Sequence, residues 1–164
     1  INRVQELPSK CVICVARHTS NWDFIIGMLV KFALRINANF NMKKEWFFFP
    51  MGYLMRSLGG IAIQRDKKLR MTDQMAAEFE KHETLCVAIT PEGTRSYNPD
   101  WKKGFYFIAE KAGVPIVFAA LDFKKKEIIL GDQFIPTGNV DADMAQIKAY
   151  YKEINAKFPE KFGM

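Results

Sequence analysis

The sequence predicts an α/β fold: a single domain, residues 1–164, with a central mixed, largely parallel sheet flanked by helices. Three observations carry that prediction. Apolar runs of strand length recur along the chain with helix-length segments between them. The length of 164 residues fits one domain, which buries roughly two thirds of the surface its unfolded chain exposes. No internal repeat, low-complexity tract or linker divides the chain.

Residues 11–16 (Cys-Val-Ile-Cys-Val-Ala) are short, apolar and rich in β-branched side chains, and read as a buried strand. Residues 23–36 read as a helix, apolar almost all round except for Lys31 and Arg35, four apart on one face, which marks it as central. A strand at 38–42, a short helix at 45–58 interrupted at Pro50 and Gly52, and a strand at 60–64 follow. Leu69, Met75, Ala76 and Phe79 recur at helical spacing up to His82, and 84–89 returns to strand composition. The polar stretch 90–102, with two prolines, a glycine and Asn98, reads as a function-bearing loop. A helix at 104–112 stops at Gly113 before a strand at 114–121. Residues 124–127 form a hairpin tip leading into 128–130, and Val140, Met144, Ile147, Tyr151, Ile154 and Phe158 mark a closing amphipathic helix within 122–164.

Composition narrows the class. Twenty-four Lys and Arg against 18 Asp and Glu leave a net charge of +6, which favours anionic partners. Three cysteines are too few for a disulfide framework and fit a reducing, cytoplasmic compartment. The longest apolar stretches, 22–34 with Asp23 and Lys31, and 46–55 broken by Pro50, fall short of the roughly 20 residues a bilayer span needs; no secretory leader is legible. Cys11 and Cys14 stand three apart in a strand and so face opposite sides, and His18, His82 and Cys86 show no ligand spacing. No metal site or cofactor is expected.

Two segments carry chemistry. His18 follows the first strand and Asp23 lies five residues on, at the start of the helix. A carboxylate accepting the imidazole Nδ1–H fixes the tautomer and leaves Nε2 to take a proton, typically a 10²–10⁴-fold effect on rate. On spacing alone, a helix-capping role for Asp23 is the commoner one. Pro91-Glu92-Gly93-Thr94-Arg95 directly follows another buried strand, where α/β sheets place binding loops; Gly93 permits a tight turn and Arg95 can hold a phosphate bidentately, although a plain surface turn has the same composition. Lys43, Lys44, Arg65, Lys102 and Lys103 follow strands or precede a helix, and would add positive charge if the sheet gathers them at one edge.

Together these segments resemble the glycerophospholipid acyltransferase family, typified by the 1-acylglycerol-3-phosphate acyltransferases. Its four blocks appear in order within residues 11–121: His18 with Asp23; Gly60, Ile61 and Arg65; Pro91 to Arg95; and Val114, Pro115 and Ile116. The Lys43-Lys44 pair ahead of Pro50 and Gly52, and Lys102 with Gly104, also match. Arg17, Thr90 and Phe118 depart from the usual Asn, Phe and Pro, and none of them removes a proton-transfer group. The resemblance implies transfer of a fatty acyl group from acyl-CoA or acyl-carrier protein to a lysophospholipid hydroxyl. His18 would be the general base, Asp23 its orienting partner, and Glu92, Gly93, Thr94, Arg95, Arg65, Lys43 and Lys102 the substrate-binding residues, with no acyl-enzyme. The absence of a Gly-x-Ser-x-Gly elbow, a dinucleotide fingerprint and a P-loop is consistent with it.

Long-chain substrates bring the enzyme to a membrane. The aromatic run 46–55, with Lys43, Lys44 and Arg56 beside it, is expected either to meet the lipid interface or acyl chain at the inner face of the membrane, or to be core. Three competing functions stay open: acyl transfer to a different lipid acceptor, a thioesterase using the same base on water, and a non-enzymatic module binding anionic lipid or nucleic acid. No nucleic-acid motif supports the latter.

Overall fold

The computed structural model describes residues 3–16, 21–33, 35–43, 48–63, 71–93 and 98–155. The elements are β1 (Arg3–Val4), β2 (Lys10–Val15), α1 (Asn21–Ala33), β3 (Ala38–Lys43), α2 (Met51–Ser57), β4 (Gly60–Ile63), α3 (Met71–Lys81), β5 (Leu85–Ile89), α4 (Gly104–Ala112), β6 (Ile116–Asp122), β7 (Glu127–Phe134) and α5 (Val140–Lys152). The strands make one seven-stranded sheet in the order β1-β7-β6-β2-β5-β3-β4. β2 is parallel to β5 and β6, β3 is parallel to β5 and β4, and β1 is parallel to β7. Among the described residues only β6 and β7 pair antiparallel. The mixed, largely parallel sheet predicted from the sequence is therefore present.

β2 and β3 follow one another in the chain but are not neighbours in the sheet, because β5 lies between them. The segments leaving β2 and β5 consequently emerge side by side at the carboxyl edge, the edge at which open α/β sheets bind ligands.

Alternation along the strands divides the core. Val12, Cys14, Val87, Ile116 and Phe118 face α3, α4 and α5, which contribute Met75, Phe79, Phe105, Ile108, Met144, Ile147 and Tyr151. Cys11, Ile13, Cys86, Val117 and Leu130 form a smaller cluster on the other face. Cys11 and Cys14 thus lie on opposite faces, and all three cysteines are buried free thiols. The Tyr151 hydroxyl donates to the Cys14 carbonyl at 2.5 Å and accepts from the Ala119 N–H at 3.3 Å, tying α5 across β2 and β6. At the start of α5, Asn139 caps the Ala142 N–H, a bond of about 1 kcal/mol. Buried Asp143 accepts from the Thr137 N–H and hydroxyl and from the Tyr106 hydroxyl.

Several sequence expectations need correction. The helix α1 is not central: its outer face exposes Trp22, Ile25, Leu29 and Phe32, with Leu29 62% and Phe32 58% accessible. It stops at Ala33, where Arg35 turns to a positive φ and the Ile36 N–H closes on the Lys31 carbonyl. The helix expected over 45–58 is shorter: α2 starts at Met51 with Pro50 as its N-cap, so the proline precedes the helix rather than interrupting it. Residues 44–47 lie outside the described ones. Phe48, Phe49, Tyr53 and Leu54 are exposed, which removes the core alternative for them.

β6 begins at Ile116 rather than 114, because Gly113 takes a left-handed conformation and the Val114 N–H turns back to the Ala109 carbonyl. β7 runs on through polar Asp132 and Gln133, which pattern reading truncates, because pairing with β6 continues to Ile116 and Phe134. The two-residue β1 is too short for any periodicity to reveal. Leu69 and Phe158 lie outside the described residues. No helix of the described chain is long and apolar enough to cross a membrane.

Candidate active site

The β2–β5 register sets Cys14 opposite Ile89, so Val15 comes level with Thr90 and the two strands end within a residue of each other. From β2 the chain reaches α1, whose first turn holds Asp23, a carboxylate only 8% exposed. From β5 it enters Pro91 and Glu92, both buried, and then Gly93 at φ +64°. Two bonds fold this loop on itself: the Lys102 N–H donates to the Pro91 carbonyl at 2.8 Å, and Asn98 Nδ2 donates to the Glu92 carbonyl at 2.8 Å. A second Asn98 bond, accepting from the Asp100 N–H, shapes the return.

The closure lays the Lys102 side chain along Gly93. A Cβ at Gly93 would stand 2.9 Å from Lys102 Nζ and 3.0 Å from its Cε, so a side chain there would displace the end of the lysine, while the positive φ itself favours glycine.

Asp23, Thr90, Gly93 and Lys102 form the polar end of a cavity of about 670 Å³, within the usual size range of small-molecule sites. Apart from Lys31 and Asn39, the rest of its wall is apolar. Ile13, Val15, Ala119 and Leu121 come from the sheet, Met28 and Val30 from α1, Ile36 from the turn after α1, and Ala38 and Phe40 from the start of β3. An ionic end opening into an apolar sleeve fits an amphiphile: a charged head by Lys102 and a hydrocarbon tail between α1 and the sheet.

The predicted site residues therefore divide. Asp23, Gly93 and Lys102 meet in one cavity. Lys43 ends β3 at the same edge, and continuing the β3–β5 register sets it level with Pro91; its side chain is outside what is described. His18, Thr94, Arg95 and Arg65 lie outside the described residues. Glu92 does not line the cavity: it is 4% exposed, and its charge acts on the Cys14 thiol, whose side chain belongs to the packed face. Burial is the main cause that pushes the Cys14 thiol up, with Glu92 adding to it and Tyr151 opposing it, so this sulfur stays protonated and offers no thiolate nucleophile. No cluster of three metal-ligating side chains occurs among the described residues.

Sequence reasoning passed over Gly27 and Lys31, which also line the cavity. Their signal was present: with Asp23 they follow a four-residue spacing along α1, one stripe on one face of a helix.

Comparison with known proteins bears on the family and the fold. A family model described as Acyltransferase matches residues 2–121. The human 1-acyl-sn-glycerol-3-phosphate acyltransferase beta is 36% identical over 123 residues, covering 70% of this chain and 42% of that protein. A probable 1-acyl-sn-glycerol-3-phosphate acyltransferase of Mycoplasma pneumoniae is 30% identical over 128 residues, covering 69% and 45%. The chain thus spans less than half the length of these two relatives. The crystal structure of the 1-acyl-sn-glycerophosphate (LPA) acyltransferase PlsC from Thermotoga maritima superposes with a TM-score of 0.57 at 19% identity, over 93% of this chain and 67% of that one, which is a likeness of fold.

Proposed function

Because this chain belongs to the acyltransferase family, we propose that it transfers a fatty acyl group from a thioester donor, acyl-CoA or acyl-carrier protein, to the free hydroxyl of a lysophospholipid such as 1-acylglycerol-3-phosphate. The observation that carries this reading is that Asp23 and Lys102 share one cavity whose wall is otherwise mostly apolar.

In the proposed mechanism His18 is the general base. Asp23 accepts its Nδ1–H, so that Nε2 takes the proton of the acceptor hydroxyl as the oxygen attacks the thioester carbonyl. The C–O bond forms, the C–S bond breaks, and the imidazolium returns its proton to the leaving thiolate. No acyl-enzyme is needed, which agrees with a protonated, buried Cys14. Lys102, together with Arg95, Lys43 and Arg65, neutralises the phosphate of the acceptor, whose desolvation needs fixed positive charge. Gly93 and Thr94 shape the loop against that headgroup, and buried Glu92 holds the loop from behind.

The same reading has the protein working at the inner, cytoplasmic surface of a membrane. The exposed apolar face of α1, the exposed Phe48, Phe49, Tyr53 and Leu54, and the exposed cations Arg35 and Arg56 support it. A Leu29→Ser/Phe32→Ser variant would lose most of its flotation with anionic vesicles while keeping its circular dichroism spectrum.

The decisive experiment measures thiol release from acyl-CoA and from acyl-carrier protein by the wild type and His18→Ala, with and without lysophosphatidic acid, product lipids being resolved by mass. Release that depends on the acceptor and falls by about 10²–10⁴ in a folded His18→Ala protein is expected. Equal release of free fatty acid with and without lysolipid would make the protein a thioesterase. Silence across both donors and a panel of lysolipids would leave a non-catalytic binder of anionic lipid.

A further inference from the structure

Cys11 and Cys86 occupy directly opposed positions on adjacent parallel strands, β2 and β5. Side chains alternate along a strand, and both sulfurs fall on the face that carries Ile13, Val117 and Leu130. Neighbouring strands run about 4.7–4.9 Å apart, inside the Cα–Cα range of roughly 4.4–6.8 Å that a disulfide spans. Register and facing, the two conditions for joining a pair of cysteines across a sheet, are therefore met together. Cys14 meets neither: it stands opposite Ile89 and Phe118 and points to the other face.

The two thiols are not equivalent. Cys11 is hydrogen-bonded to Cys86, and Cys86 Sγ donates to the Pro8 carbonyl at 3.5 Å. The contact between the thiols, with burial behind it, pushes Cys11 up; the same contact outweighs burial at Cys86 and holds that thiol below its ordinary value. Cys86 is thus the sulfur that more readily becomes a thiolate, and Cys11 the one that keeps its proton. Access differs in the same sense, since Cys11 is wholly buried and Cys86 is 8% exposed. The cover next to Cys86 is the irregular stretch between β1 and β2, where Leu7 and Pro8 are half-buried and Ser9 is exposed.

We propose that Cys11 and Cys86 form a dithiol that peroxide oxidises, with Cys86 as the attacking sulfur and a disulfide that clamps β2 to β5 as the product. The Cys86 sulfur attacks one peroxide oxygen and the O–O bond breaks; the departing hydroxide takes the thiol proton and leaves as water, and Cys86 becomes a sulfenic acid. Cys11 then attacks that sulfur. The S–O bond breaks, the S–S bond forms, and the Cys11 proton leaves with the hydroxyl as a second water. Two thiols lose two electrons and one peroxide gains them. The clamp joins the two strands that lead to Asp23 and to the loop of Gly93 and Lys102, and Ile13 and Ala88, the next pair along the same face, line the cavity. It also closes a long loop in the unfolded chain, which favours the folded one. None of this depends on what the cavity binds.

The test treats the folded full chain with a small excess of hydrogen peroxide at neutral pH and then alkylates the remaining thiols in denaturant, reading intact mass, non-reducing peptide maps and the thermal unfolding midpoint. Two of the three thiols should be lost. The mass before alkylation should fall by the two hydrogens removed, the linked peptides should carry Cys11 and Cys86, and the midpoint should rise by several degrees until dithiothreitol reverses it. Cys14→Ala should oxidise as the wild type does. Cys11→Ser should stop at a sulfenic acid on Cys86 that dimedone traps, and Cys86→Ser should form no link. If a variant does not fold, the wild-type peptide map still decides. Oxygen added without a link, a link through Cys14 or between two chains, thiols that react only in denaturant, or a link that leaves the midpoint where it was would overturn the proposal.

Discussion

On one face of the sheet α3, α4 and α5 close over Val12, Cys14, Val87, Ile116 and Phe118, and Phe105, Ile108, Ile147 and Tyr151 are at most 1% exposed. On the other face α1 stands away from Ile13, Val15 and Ala119 and leaves a cavity of about 670 Å³. Both faces are lined by small and β-branched side chains of the same strands, so composition does not separate them. What differs is the covering layer: three helices with large inward residues on one side, and on the other a helix presenting Asp23, Gly27 and Lys31. Stability is concentrated on the first face and room for a ligand on the second.

Substitutions on the two faces should therefore fail in different ways. Asp23→Asn should lower kcat by about 10²–10⁴ while circular dichroism and the unfolding midpoint stay near wild type, because in the proposed mechanism the carboxylate orients the base. Ile147→Ala, wholly buried on the packed face, should cost about 2–5 kcal/mol in urea unfolding and leave the activity of each folded molecule unchanged. If the losses were exchanged, with Asp23→Asn unfolding the protein and Ile147→Ala silencing it, the division between the faces would be wrong.

Gly27→Ala should stabilise by about 1 kcal/mol, since the new methyl group meets open space and the helix gains a better former. Unchanged or lower stability would mean that the wall of the cavity is filled in solution. The smallest effect concerns acid. Burial pushes the Asp143 carboxyl up, but bonds from the Thr137 N–H, the Tyr106 hydroxyl and the Thr137 hydroxyl outweigh it and hold the group below the ordinary aspartate value of 3.8. Its contribution to stability is therefore complete above that value and lost as pH falls through the lower folded one. Asp143→Asn should flatten that part of the acid-unfolding curve without touching acyl transfer at neutral pH.

Most of the fold was legible because its elements carry local signals. The helix at 104–112 is found with its stated bounds, stopped by the glycine that marks it in sequence. The strands β2, β3, β4 and β5 fall within a residue or so of their apolar runs. What was hidden is what depends on register and on covering layers. The facing of Cys11 by Cys86 comes from β2 and β5 being neighbours, which no spacing states. The apolar circumference of α1 pointed to burial, because pattern reading weighs a helix against water and ignores any other apolar surroundings. In the candidate site the motif residues Asp23, Gly93 and Lys102 line one cavity, whereas Glu92, within the same motif, is buried outside it. A motif fixes which residues lie in a loop but not to which side of the backbone each one points.

Among the described residues no other element packs closely along α1, and its tie to the end of α2 is the Lys31 bond to Leu58. Regions held so sparsely open far below the free energy of global unfolding. Amide hydrogens of α1 should then exchange with deuterated solvent well before those of α4, in an event that leaves the packed face closed. Such an opening separates one long wall of the cavity from the sheet. A hydrocarbon chain could then enter sideways along its whole length, without being threaded end-first past Asp23 and Lys102.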